Sequence, residues 1–256
     1  MIKNSLRSLA RRFLTEESRE AIRRWGYQSM APFLWGRGVV CPICKGHFRR
    51  FRIYVEGGLD HSIMCPWCLS LERHRLLWLY LQQHTDIFAK NLSLLHIAPE
   101  YFPAKEFTAS ANIRYVPGGL RAPYIKVELD ILQIPFPDNC FEVVICFHVL
   151  DRILDDVQAM REMHRVLKPG GLVFPQSPID DRRDTTFEDP TCVTPEDRER
   201  LFGKSYHVRI YGLDFKDRLA EAGFSVRLDH FVDTLSPETI ERYGLTGEGV
   251  LYICTK

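Results

Sequence analysis

From Leu92 onward the chain alternates between two kinds of segment. Short, solidly apolar runs such as LSLLHIA and FEVVICF take turns with stretches of helical period. A run that is apolar on both faces suits a strand covered by helices on both sides, which is how parallel sheets are built. The expected order is a strand from Leu92, a helix in AKEFTAS, and strands in NIRYV, YIKVELD and FEVVICF. A helix in DDVQAMREMHRVLK follows, then a strand in GLVFPQS, a helix in LDFKDRLAEAG, and a closing strand pair, FSVRLDHF and GVLYICTK. In the DDVQAMREMHRVLK helix, Val157, Met160, Val166 and Leu167 share a side. Asp155 and Asp156 suit its amino-terminal dipole, and Lys168-Pro-Gly-Gly ends it. Between these elements, PIDDRRDTTFEDPTCVTPEDRER is too polar for a core element and long for a connection, so it is expected to be a lid or substrate loop.

Ahead of the alternation stand four of the eight cysteines, in two matched turns: Cys41 and Cys44 in CPIC, Cys65 and Cys68 in CPWC. Four thiolates on two such turns can surround one zinc tetrahedrally. An all-cysteine set leaves no open position, so the expected Zn2+ is structural. His47, His61 and His74 are near in sequence but are not needed as ligands. The segment SLERHRLLWLYLQQHTDIF reads as a linking helix with Leu71, Leu76, Leu79 and Tyr80 on its apolar face. Arg73 and Arg75 in it could reach the site or form a solvated face. Before the cysteines, Leu6, Leu9, Phe13 and Leu14 recur at helical spacing among Arg7, Arg11, Arg12, Arg23 and Arg24. Such a helix can rest on an anionic membrane, giving a peripheral contact, or on RNA. With Glu16, Glu17 and Glu20 diluting its charge, packing against its own protein is the favoured reading. The expected division is a basic amphipathic helical segment over 1–38, a ribbon over 39–70, and a linking helix with the α/β domain over 71–256.

The formal net charge of +1 exerts no global pull on nucleic acid or membrane. No apolar run nears the roughly 20 residues a spanning helix requires. No secretory signal is evident, so a cytoplasmic address is expected.

The passage LDILQIPFPDNCFEVVICFHVLDRILDDVQAMREMHRVLKPGGLVFPQSPI resembles class I S-adenosylmethionine-dependent methyltransferases, in particular the methyltransferase type 11 group. The ribbon followed by CLSLERHR, with LHIAPE and HVRIYG, is similar to a bacterial subgroup that carries CPxC pairs ahead of such a domain. The resemblance implies a Rossmann-like seven-stranded methyltransferase sheet with S-adenosylmethionine bound beyond the carboxyl ends of the strands. It places His96, Ile97, Ala98, Pro99 and Glu100 under the methionine portion and Gly118 and Gly119 near the ribose. Asp130 and Ile131 fall against the adenine, and Phe147, His148 and Val149 border the sulfonium and the acceptor. Two departures stand out. The loop after the first strand has no glycine, and the acid usual at the end of the second is replaced by Val-Pro-Gly-Gly, which weakens cofactor binding by roughly 1.5–3 kcal/mol.

Methyl transfer is largely positioning, with a base needed only where the acceptor must lose a proton. His148 is the first candidate base and His207 the second, with Arg209 and Tyr211 to orient an acceptor. Each could equally be a hydrogen-bonded packing residue. The acceptor implied is a small molecule or glycan, methylated at oxygen. Two alternatives stay open: an RNA methyltransferase using the basic, aromatic HFRRFR segment, and a domain that binds a ligand or partner without catalysis.

Overall fold

The computed structural model describes residues 15–56, 60–120, 124–246 and 249–256. Leu6, Leu9, Phe13 and Leu14, with Arg7, Arg11 and Arg12 of the expected amino-terminal helix, lie outside them. The first described helix is α1 (Glu16–Gln28), capped by Thr15, whose hydroxyl accepts from the Ser18 amide. A short α2 (Ala31–Leu34) leads into β1 (Trp35–Val40), which pairs antiparallel with β2 (His47–Phe48). The hairpin of β3 (Arg52–Glu56) and β4 (Asp60–Met64) lies between the two cysteine turns. The linking helix is α3 (Glu72–His84).

The α/β portion then runs β5 (Leu92–Ile97), α4 (Tyr101–Ala109), β6 (Ile113–Gly119), β7 (Val127–Glu128), β8 (Phe141–Phe147), α5 (Asp156–Val166) and β9 (Leu167–Gln176). It continues through β10 (Phe187–Glu188), α6 (Pro195–Phe202), β11 (Arg209–Ile210), α7 (Phe215–Glu221), β12 (Ser225–Asp229), α8 (Pro237–Tyr243) and β13 (Leu251–Thr255). Seven strands form one sheet in the order β12-β13-β9-β8-β5-β6-β7. The five from β9 to β7 are parallel, and β13 and β12 close the edge antiparallel. The fold is thus the expected seven-stranded Rossmann-like methyltransferase sheet. The third strand is much shorter than YIKVELD implied. The helix before Lys168 stops at Val166, because Leu167 already pairs with Phe141 and Lys168-Pro-Gly-Gly runs within β9.

The two faces of the sheet have separate cores, and strand alternation decides which side chain goes where. Leu94, Val143 and Ile145 point to the face covered by α3. Leu95, Val144 and Cys146 point to the face covered by α5 and α7. The cysteine module joins the first of these cores: Ile43, Phe48 and Phe51 pack in the same cluster as Leu76, Leu77 and Phe174. Arg75 locks the arrangement. Fully buried, it donates to the carbonyls of Ser70 (2.7 Å), Ile63 (3.0 Å), Tyr243 (2.7 Å) and Gly244 (2.6 Å), and its guanidinium lies 4.4 Å from the Phe51 ring centroid. It is neither in the site nor on a solvated face. One side chain ties both ends of the ribbon hairpin to the end of α8.

Candidate cofactor site and four-cysteine centre

The two cysteine turns are built alike. Lys45 donates to the Cys41 carbonyl (2.9 Å) and Leu69 to the Cys65 carbonyl (3.0 Å). Both take positive φ (60° and 63°), turning the chain back so that each pair of thiols faces inward. The four sulfurs lie within 4.8 Å of one another, with Cys41 and Cys68 3.6 Å apart and Cys44 and Cys65 3.7 Å apart. A tetrahedral zinc with bonds of about 2.3 Å requires sulfurs about 3.8 Å apart, so the donor set fits zinc in both chemistry and size. Ser70 Oγ lies 3.2 Å from Cys68 Sγ and 3.5 Å from Cys41 Sγ, and the Arg75 charge next to the cluster offsets thiolate charge.

At the carboxyl ends of the central strands the structure gathers the residues expected around the cofactor. The loop after β5 reverses at Ala98, whose φ of 47° is of the kind normally left to glycine. The missing glycine is therefore answered by the smallest chiral residue in the same backbone conformation. The Ala98 amide donates to Gly118 O (2.7 Å). A Cβ on Gly119 would stand 3.4 Å from Ala98 Cα, and one on Gly118 would meet Leu129 at 2.1 Å. A side chain at Gly118 would therefore collide with Leu129, whereas one at Gly119 would meet Ala98 at ordinary contact distance. Leu120 beyond them is exposed, and Gly119 lies in register with Glu128 on β7. Exposed Asp130 accepts the Leu132 amide on Oδ1 (2.9 Å), and Ile131 beside it is buried.

Glu100 begins α4 and meets two side chains from the first turn of α3. Arg73 donates to its Oε1 at 2.6 Å, and His74 Nε2 faces its Oε2. His74 Nδ1 accepts the Leu71 amide (3.1 Å), which leaves the ring proton on Nε2, directed at the carboxylate. Burial pushes the Glu100 carboxyl up, but His74 and Arg73 overcome it and hold the group well below the usual carboxylate range. The His74 ring stacks on Phe147 (6.3 Å) at the end of β8, and the next residue, His148, takes a positive φ of 54°. Burial, then the nearby Arg73 charge, lowers the His148 pKa well below its ordinary value.

Three expected positions are placed differently. His96 is enclosed in β5, its Nδ1 3.0 Å from Tyr115 Oη, with burial depressing its pKa to about 3. It supports the loop from beneath. Arg209 and Tyr211, expected as acceptor contacts, are buried tie-points. Arg209 bonds Glu188 (2.5 Å) and the carbonyls of Leu150 (2.7 Å), Ile153 and Leu154 (2.9 Å), while Tyr211 donates to Asp156 (2.6 Å). They bind the expected lid, through β10 and β11, to the turn after β8. His207 pairs with Asp151 (3.0 Å) in that turn, three residues beyond His148. Sequence reasoning allowed that Arg73 could reach the site but passed over His74 as a cofactor-side residue. Their only signal was their position directly after the ribbon.

Residues 101–174 match the methyltransferase domain family. The demethylmenaquinone methyltransferase of Lysinibacillus sphaericus is 43% identical over 54 residues, 20% of this chain and 23% of that protein. That of Listeria monocytogenes serovar 1/2a is 50% identical over 40 residues, 16% and 17%. The chain spans about a fifth of the length of these curated relatives. Among solved structures, an S-adenosylmethionine-dependent methyltransferase from Mesorhizobium loti superposes with a TM-score of 0.48 at 14% identity, covering 70% of this chain and 97% of that one. Within a sheet of Rossmann-like methyltransferase type, the stretch from 101 to 174 thus carries the methyltransferase domain match.

Proposed function

We propose that this protein is an S-adenosylmethionine-dependent methyltransferase acting on a small-molecule acceptor, with oxygen as the methylated atom. One observation carries the reading. The strand-end loops converge, with Ala98 against Gly118 and Gly119, Asp130 exposed beside buried Ile131, and His148 strained at the mouth of β8. The demethylmenaquinone methyltransferases support a small-molecule acceptor. When bound, the cofactor supplies a methyl group already activated as a sulfonium.

The protein's own residues supply binding and position. The left-handed turn at Ala98 would let the main chain approach the ligand, with Gly118 and Gly119 packed behind it. Asp130, exposed beyond its turn bond to Leu132, would accept from the adenine amino group, and Ile131 would cover the ring. Glu128, in register with Gly119 through the β6–β7 pairing, would take the place of the missing strand-two acid and accept hydrogen bonds from the ribose hydroxyls. Glu100 is already engaged by Arg73 and His74, so it orders the methionine-side loop. His148 is neutral at pH 7 and can take the acceptor's proton, and His207 with Asp151 backs the same turn. The four cysteines hold a structural zinc.

Calorimetric titration of S-adenosylmethionine and S-adenosylhomocysteine into the zinc-loaded protein tests the reading. Micromolar binding of both is expected, weakened about tenfold or more by Asp130→Ala and by Glu128→Gln, each removing a charged hydrogen bond. No binding at millimolar ligand, with the protein folded, overturns it and leaves a non-catalytic domain.

A further inference from the structure

Among the described residues, seven of the thirteen exposed large apolar side chains fall between Ile22 and Trp67, and the other six, Leu154 among them, are spread over the rest of the chain. Ile22, Trp25, Phe33, Trp35, Ile53 and Trp67 all belong to α1, α2 and the cysteine module, with Phe33 75% and Trp25 72% exposed. Three of the chain's four tryptophans are in this set, and only Trp78 is buried. Isolated exposed hydrophobes are ordinary on a protein surface, but a concentration of tryptophan and branched aliphatics on one module is not.

The module is held together as a unit. Gln28 Nε2 donates to Trp67 O (2.8 Å), and Arg52 donates to Tyr27 O (3.3 Å). Tyr27 meets Tyr54 edge-on at 6.5 Å, and the Arg49 amide bonds Leu34 O (2.6 Å). Tyr27 and Gln28 of α1 are used for this packing and Arg24 reaches Tyr124 of the α/β portion (3.4 Å), while Ile22 and Trp25 are exposed.

Its charge is as lopsided as its apolarity. Residues 16–70, which span α1, α2 and the cysteine module, contain eight Arg and Lys against five Asp and Glu, with no acid between Glu20 and Glu56; the chain's formal net charge is +1, so the remainder is net negative. Arg23, Arg37, Lys45, Arg49 and Arg50 are exposed. We propose that α1, α2 and the cysteine module form a docking surface for an anionic lipid bilayer. Tryptophan and phenylalanine seat at the headgroup level, Ile22 and Ile53 reach the acyl boundary, and the arginines face lipid phosphates. A nucleic acid would use the arginines and the aromatic rings but gives Ile22 and Ile53 no partner, since recognition of bases works through stacking. The proposal is independent of the methyltransferase reading.

The zinc-loaded full chain is mixed with phosphatidylcholine vesicles, with and without phosphatidylglycerol, and followed by co-sedimentation and tryptophan emission. Binding is expected only to the anionic vesicles, with a blue shift and with loss of binding as salt rises. Trp25→Ser with Phe33→Ser, at positions the fold does not bury, should lower vesicle affinity at least about tenfold, and Arg37→Glu with Arg50→Glu about as much. Circular dichroism and zinc content should be unchanged in both. Failure to bind anionic vesicles overturns the proposal. So does equal binding by both double variants, tighter binding to single-stranded RNA, or a dimer in light scattering that shields Trp25.

Discussion

Two clusters of charge stand near the carboxyl ends of the strands, and they are built on opposite plans. Around Asp156 the centre of the cluster is closed, although Glu188 at its rim is 39% exposed. Its carboxylate accepts from Tyr211 (2.6 Å) and from Arg218 (2.5 and 2.9 Å), and Glu188 joins Arg218 (3.0 Å) to Arg209 (2.5 Å). Two acids balance two arginines, the Asp156 and Arg209 side chains are only 2% exposed, and Arg209 spends its remaining donors on backbone carbonyls. Around Glu100 one acid answers Arg73 and His74, with the Glu100 side chain still 40% exposed. A saturated cluster has nothing to offer a ligand and serves to hold elements together. The Glu100 cluster joins one charged pair, Arg73 and Glu100, to a neutral His74, and its carboxylate stays partly open to solvent.

The comparison breaks most visibly at Asp156. Asp156→Ala leaves buried Arg209 and half-buried Arg218 short of a partner and a tyrosine hydroxyl without its acceptor. Removing one member of a buried ionic network costs about 3–5 kcal/mol. Chemical denaturation is expected to show a loss of that size, with the β10–β11 strap becoming sensitive to protease. A loss under about 1 kcal/mol would mean that the network does not hold the strap.

Glu100→Gln is expected to behave in the opposite way. Its exposure limits the cost to stability to about 1 kcal/mol, whereas affinity for S-adenosylhomocysteine falls about tenfold as the loop loses its order. Removing zinc with a chelator should reproduce that loss of affinity. Only a few residues separate Cys68 from Arg73 and His74, and Ser70 touches both the cluster and Arg75. Cofactor affinity that survives both changes would separate the ribbon from the site.

What the sequence made legible follows the range of each interaction. The seven strands, the helix at Asp156 and the paired cysteines come from local period and spacing, so they could be read directly. Asp156 was legible only as a residue favouring a helix dipole, because its partners Tyr211 and Arg218 lie 55 and 62 residues away. Arg209 and Tyr211 looked like acceptor contacts for the same reason: nothing local shows that their donors are already engaged. Arg75 sits among leucines at helical spacing, and its four carbonyl partners come from both sides of the ribbon and from the far end of the chain. Val127–Glu128 fell short of the expected strand because β7 is the sheet's edge, with one neighbour to set its length.

The finest distinction between the clusters is their response to acid. His74, His96 and His148 all have lowered pKa values, burial being the largest cause of each, and His96 is brought to about 3. In the unfolded chain these histidines take up protons below about pH 6.5. The folded protein keeps them neutral, so the unfolded state binds more protons and stability falls as the pH drops from about 6.5 towards 3. Glu100 acts in the same direction lower down. Its depressed pKa contributes stability above about pH 4.3 that is lost as the pH falls through the folded value. Each histidine adds at most about 1.4 kcal/mol per pH unit to the slope. His148→Gln should therefore flatten the stability profile between pH 4 and 6 by up to about that amount. If the slope does not change, His148 binds protons alike in the folded and unfolded chain, and burial does not shield it.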